Sequence, residues 1–175
     1  MKRLLYLPVL LAISCLLAAL YGAVHNQLSY TVAPGYFHEF KFLQFQFPAE
    51  AWTRAGASWI GVLASWWIGL ILGLPIYIAA LFIKDDRAFV RAFLTAAVIV
   101  VCVTLLIGLG ALAVAYATFT PDNLPWFMEG WDVSNPVAFA RAGQMHNFSY
   151  LGGLIGTVVG LFWVIRTAWR SRRAA

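Results

Sequence analysis

Charge is what this chain has least of: twelve Lys or Arg and seven Asp or Glu in 175 residues, 11% in all. A soluble domain of this size carries roughly a quarter charged residues. With 62% hydrophobic residues and a mean hydropathy of +0.79, the shortage argues against water as the main solvent. Cysteine is scarce too. Cys15 and Cys102 both lie inside apolar runs and show no Cys-x-x-Cys spacing, which excludes a disulfide framework. Apolar–polar alternation is missing from the long runs, and with it the signature of a membrane β-barrel.

What is present is apolar sequence in long blocks. Helices are expected over about 4–24, 50–83, 88–119 and 136–170, each containing the roughly 20 apolar residues a bilayer crossing needs. The fold class expected is all-α: a single integral membrane domain over 1–175, built as a four-transmembrane-helix bundle. Lys2 and Arg3, then Lys84, Arg87 and Arg91, then Arg166, Arg170, Arg172 and Arg173 flank these blocks on alternate sides. The positive-inside rule then makes both termini and the short central link cytoplasmic, in a multi-pass plasma-membrane protein (inner membrane if bacterial). It also accounts for the net charge of +5 without a nucleic-acid partner. Leu20 and Tyr21 interrupt any small-x-small cleavage site, so the first helix is expected to be retained. The four-helix quinone-linked disulfide-forming oxidoreductases are similar in size, but they need paired outer cysteines that are lacking here.

Small residues recur every fourth position at Ala57, Gly61, Ser65, Gly69 and Gly73, and again at Gly152, Gly156 and Gly160. Such files let helix backbones approach closely, and their occurrence on the second and fourth helices suggests that those two touch. Pro48 suits the first turn of the second helix, and Pro75 is expected to kink it. Asp86 is expected to cap the third helix, which otherwise looks lipid-facing. Asn135-Pro136 reads as a start signal for the fourth. Residues 36–47 read as an interfacial helix on the outer leaflet, with Tyr36, Phe37, Phe40, Leu43 and Phe47 as its apolar stripe.

Two polar segments echo each other: Gly22-Ala23-Val24-His25-Asn26-Gln27-Leu28-Ser29-Tyr30 and Gly143-Gln144-Met145-His146-Asn147-Phe148-Ser149-Tyr150. One ends an outgoing helix and the other begins an incoming one, so duplication does not explain them; chance or a shared geometric role does. The candidate ligand-binding residues are His25, Asn26, Gln27, Tyr30, Arg141, His146, Asn147 and Tyr150. His25 and His146 are also candidate ligands for a divalent metal or copper, with outer-link carboxylates as supplements. The simpler alternative is a hydrogen-bonded polar network that only satisfies buried groups.

The His-Asn-Gln, Ser-Tyr, Tyr-Phe and Phe-Lys-Phe-x-Gln-Phe elements within 25–45, with Met-His-Asn-x-Ser-Tyr-Leu-Gly-Gly over 145–153, resemble a bacterial family of four-helix integral membrane proteins that has no established function. In that pattern an acidic residue precedes Tyr-Phe where this chain has Gly35, and His38 has no counterpart. The resemblance therefore favours His25 and His146 as the pair and implies no reaction.

The leading expectation is a non-enzymatic membrane component binding a small ligand, ion or partner at its outer face. Membrane lipid, a membrane-protein partner or a second copy of the chain are the partners in view. A membrane enzyme would use His25 or His146 as acid or base, with Arg141 receiving an anionic headgroup. Unbroken helices without midplane charge argue against transport. Pure assembly remains an alternative.

Overall fold

The computed structural model describes residues 2–173, and these contain helices and no strand. The long elements are α1 (Lys2–Val32), α4 (Arg54–Ser65), α5 (Ile68–Ala80), α6 (Asp86–Thr118) and α7 (Pro136–Arg173). Between α1 and α4 runs a strap made of α2 (Pro34–Tyr36), a π-turn (Phe37–Lys41) and α3 (Phe42–Gln44). Three helices, Arg3–Val32, Asp86–Thr118 and Pro136–Arg173, are long and apolar enough to cross a membrane. The pair Arg54–Ser65 and Ile68–Ala80 qualifies together as a fourth span, bent by 41°.

α1 outruns its expected end by a full polar segment. His25 to Tyr30 stay helical because their polar side chains meet other helices, and the helix stops at Ala33, held extended by the proline that follows. The bend in the α4–α5 pair sits at Trp66–Trp67 and not at Pro75, which lies inside α5. At the bend Ser65 Oγ bonds back to Gly61 O at 2.7 Å and across to Ala18 O at 2.8 Å, a back-bond that bends helices. This broken segment removes one leg of the argument against a transport path. α4 starts later than expected: Pro48 precedes a short 3₁₀ turn, and Thr53 Oγ1 caps the helix by accepting from Gly56 N at 3.1 Å. α6 is capped by Asp85 and not Asp86, through a 2.7 Å bond from Ala88 N. Asn135 does open α7, accepting from Ala138 N at 3.0 Å.

The glycine files pack, but not on each other. Gly61 meets Gly22 of α1, where an added Cβ would lie 2.1 Å from the Gly22 carbonyl, and Gly69 and Gly73 meet Ser14. On α7, Gly152, Gly156 and Gly160 meet Thr104, Val100 and Ala96 of α6. Each file thus serves an antiparallel neighbour in sequence. α5 and α7 also touch, Gly153 beside Leu72 and Gly160 beside Ile76, but these two run parallel. α6 correspondingly buries one face, at Ala92, Ala96, Val100, Thr104, Gly108, Ala111 and Ala115, so its lipid-facing assignment fails for that face.

The chain has two distinct ends. At the basic end Arg3 bonds Asp86 at 3.0 Å and the carbonyls of Leu81 and Lys84, while Arg172 lies over Phe82. The start of α1, the α5–α6 link and the close of α7 therefore meet. At the opposite, aromatic end the strap folds onto the helices. The π-turn inserts a residue, so that Phe42 N bonds Phe37 O and both phenylalanines face inward, fully buried. That register explains why Phe42, outside the expected stripe, is buried and why Leu43, within it, is exposed.

Candidate functional site

The two echoed segments meet. His25 on α1 and His146 on α7 pack edge to face, their ring centroids 4.4 Å apart. His25 Nε2 lies 3.1 Å from Ser149 Oγ of α7, and His146 Nε2 lies 3.2 Å from Ser29 Oγ of α1. Each histidine thus pairs with the serine of the other segment. On antiparallel helices this is a local two-fold relation, and it gives the echo its geometric role. Ser149 also accepts from Tyr21 Oη at 2.8 Å and donates to Met145 O at 2.9 Å. Asn26 ties the layer to α4 by donating to Ala57 O at 2.8 Å. His25, Asn26, Ser29 and Ser149 are buried, so unmade bonds here would be costly.

The strap covers this layer. Tyr36 stacks on His146 at 4.9 Å and Phe37 approaches its edge at 6.5 Å. Burial pushes the Tyr36 phenol above its ordinary range, so it stays protonated. Lys41 follows on the π-turn. Its Nζ lies over the rings of Phe40 and Tyr36 and donates to Gln44 Oε1 at 2.9 Å. Burial pushes its ammonium down to about 8.

Beneath the strap a cavity of about 370 Å³ opens between α1, α4, α5, α6 and α7. Its polar end carries Tyr21, His25, Asn26, Lys41, His146 and Tyr150; the rest is lined mainly by aliphatic residues and glycines. At the far end Ser14 Oγ is buried without a partner among the described residues.

Four expected site residues lie elsewhere. Gln27 turns to α4, donating to Ser58 Oγ at 2.5 Å and Arg54 O at 2.8 Å. Tyr30 bonds His38 Nε2 at 3.1 Å and sits under Arg54. Arg141 faces α6, donating to Phe119 O at 3.2 Å with its guanidinium over Tyr116; it does not line the cavity and makes no salt bridge among the described residues. Asn147 is exposed. All four sit on helix faces turned away from the α1–α7 contact. Tyr150 lines the cavity, with its side chain largely exposed.

For zinc or copper the donor set is short. The two imidazoles stand together, but no carboxylate lines the cavity, and no group of three His, Cys, Asp or Glu able to hold a metal occurs among the described residues. Glu39 instead accepts from Ser134 Oγ at 2.6 Å and Ser134 N at 2.8 Å. The sequence reasoning passed over Tyr21 and Lys41. Tyr21 was findable as the position four before His25 and eight before Ser29, one face of one helix. Lys41 had no such signal, since its position depends on the π-turn. No protein-family model, no curated protein and no solved structure matches the chain.

Proposed function

We propose that the chain crosses a membrane four times as a helix bundle, with the basic end cytoplasmic, and binds a small ligand in the outward-facing pocket at His25 and His146. The gathering of Arg3, Lys84, Asp86 and Arg172 at one end supports the orientation. The resemblance of 25–45 and 145–153 to a four-helix membrane family fits the same architecture. One observation carries the function: His25, His146 and Ser149 of a reciprocal His–Ser layer line the polar end of a mainly apolar cavity. Pockets of a few hundred Å³ with few convergent polar groups are the usual form of small-molecule sites.

The test is small-molecule mass spectrometry and elemental analysis of the full chain purified in neutral detergent, beside His25→Ala and His146→Ala. The proposal expects a co-purifying molecule or ion that both variants lose while remaining folded. A second reading, a purely structural clasp, is favoured by the mutual pairing of the histidines and serines. Retention of the same molecule by both variants, or variants that only lose stability with nothing bound in the wild type, would support it.

A further inference from the structure

The cavity has the length, the opening and the charge of a lipid site. Along α1 it reaches from Ser14 to Asn26, about 18 Å at about 1.5 Å per residue. One leaflet of hydrocarbon is about 15 Å, half of a roughly 30 Å core. Trp67, Ile71 and Leu154 line the cavity and are themselves exposed on the surface of the helices, so it opens sideways where lipid tails would lie. Its long wall is mainly apolar (Leu17, Ile68, Leu72, Val101), broken by the hydroxyls of Ser14, Ser65 and Thr104, and its ionisable groups gather at one end.

That polar end carries a cation without a counter-charge. Lys41 is the one charged residue in the lining, and it makes no salt bridge among the described residues. It shares this end with His25, His146, Tyr21 and Tyr150, and its ring contacts include Tyr36; none is a carboxylate. Tyr21, His25 and His146 have partners within the protein. Lys41 has one bond, to Gln44, and an ammonium offers three donors.

We infer that the cavity holds one acyl chain of an anionic lipid, whose carboxylate or phosphate head is received by Lys41 beside Tyr150 and His146. This rests on the proposed membrane pocket and names its ligand class. Burial already disfavours the bare ammonium, holding it near 8, and an anion would reverse that preference. Binding should therefore weaken as pH rises through about 8 in the wild type.

The test is native mass spectrometry of the full chain, delipidated in neutral detergent and titrated separately with oleate, dioleoyl phosphatidylglycerol and dioleoyl phosphatidylcholine. One equivalent of an anionic probe should bind tightly. Its affinity should fall about tenfold in Lys41→Gln, the worth of one lost charge-assisted bond, and recover in Lys41→Arg. Leu17→Trp, which fills the apolar wall, should lower it as well. Tight oleate binding identifies a free fatty acid as the source, and tight phosphatidylglycerol binding identifies a membrane phospholipid; either supports the inference. Equal uptake of phosphatidylcholine and phosphatidylglycerol, unchanged in Lys41→Gln, would mean ordinary surrounding lipid and overturn it. A different small molecule lost in the histidine variants would then leave the pocket standing with another ligand.

Discussion

The two ends of the molecule are built from similar apolar material and finish in opposite ways. At the basic end Leu10, Ile76, Ile83, Phe89 and Phe93 form a closed core. Arg3 spends its guanidinium on Asp86 and two carbonyls, and Tyr77 Oη donates to Arg3 O at 2.5 Å. Its polar groups hold chain segments together. At the aromatic end Tyr36, Phe37, Phe42, Ile60 and Phe139 form a second core, but below it lie a histidine layer, a cavity and a lysine with donors to spare. Polar groups consumed by the fold stabilise it; polar groups left beside a cavity are available to a ligand.

The largest effect should come from the close contact between α1 and α4. In Gly61→Leu the new Cβ would meet the Gly22 carbonyl at 2.1 Å, and overpacking against backbone should cost about 3 kcal/mol. Gly110→Leu, where nothing lies within 4 Å, should be nearly neutral; thermal melts followed by size exclusion separate the two. Next come the histidines. His25→Ala and His146→Ala should each destabilise by about 2 kcal/mol, since each removes a buried hydrogen bond to a serine and opens space. A double-mutant cycle should show coupling of about 1 kcal/mol, because the rings touch. Independent effects would mean that the layer is not one unit.

At the basic end Arg3→Gln should cost about 1 kcal/mol, more than Asp86→Asn, because two carbonyls lose their donor as well as the ion pair. Neither change should alter ligand retention, which sharpens the division between the ends. The smallest effect is a pH response of the strap. The bonds from Ser134 hold the Glu39 carboxyl below its ordinary range. A lowered folded-state value means the tie contributes above the unfolded value and is lost as pH falls through the folded one. Hydrogen exchange of the strap should rise in that acidic window, and Glu39→Gln should abolish the change.

The membrane-length helices were legible because about 20 apolar residues admit few other outcomes. Their partners were less so. Gly61 and Gly152 announce close approach, but a file of small residues does not name the helix that enters it, and both took the neighbour in sequence. The His25–His146 meeting was readable from the echo. Gln27, Tyr30, Arg141 and Asn147 lie apart from the histidine layer because nearness to a histidine in sequence ignores the helix face. Lys41 and Phe42 were hidden by a π-turn, whose single extra residue shifts every side chain after Phe37 against the ordinary helical period.

The central claim is that the mouths of α1 and α7 share one space. It is tested most directly by a double variant, His25→Cys with His146→Cys, in a background where Cys15 and Cys102 are alanine. One short bifunctional methanethiosulfonate reagent should join the two thiols within a single chain, detected as one doubly attached adduct by mass spectrometry. Two separately capped cysteines, each carrying its own reagent under the same conditions, would contradict the account.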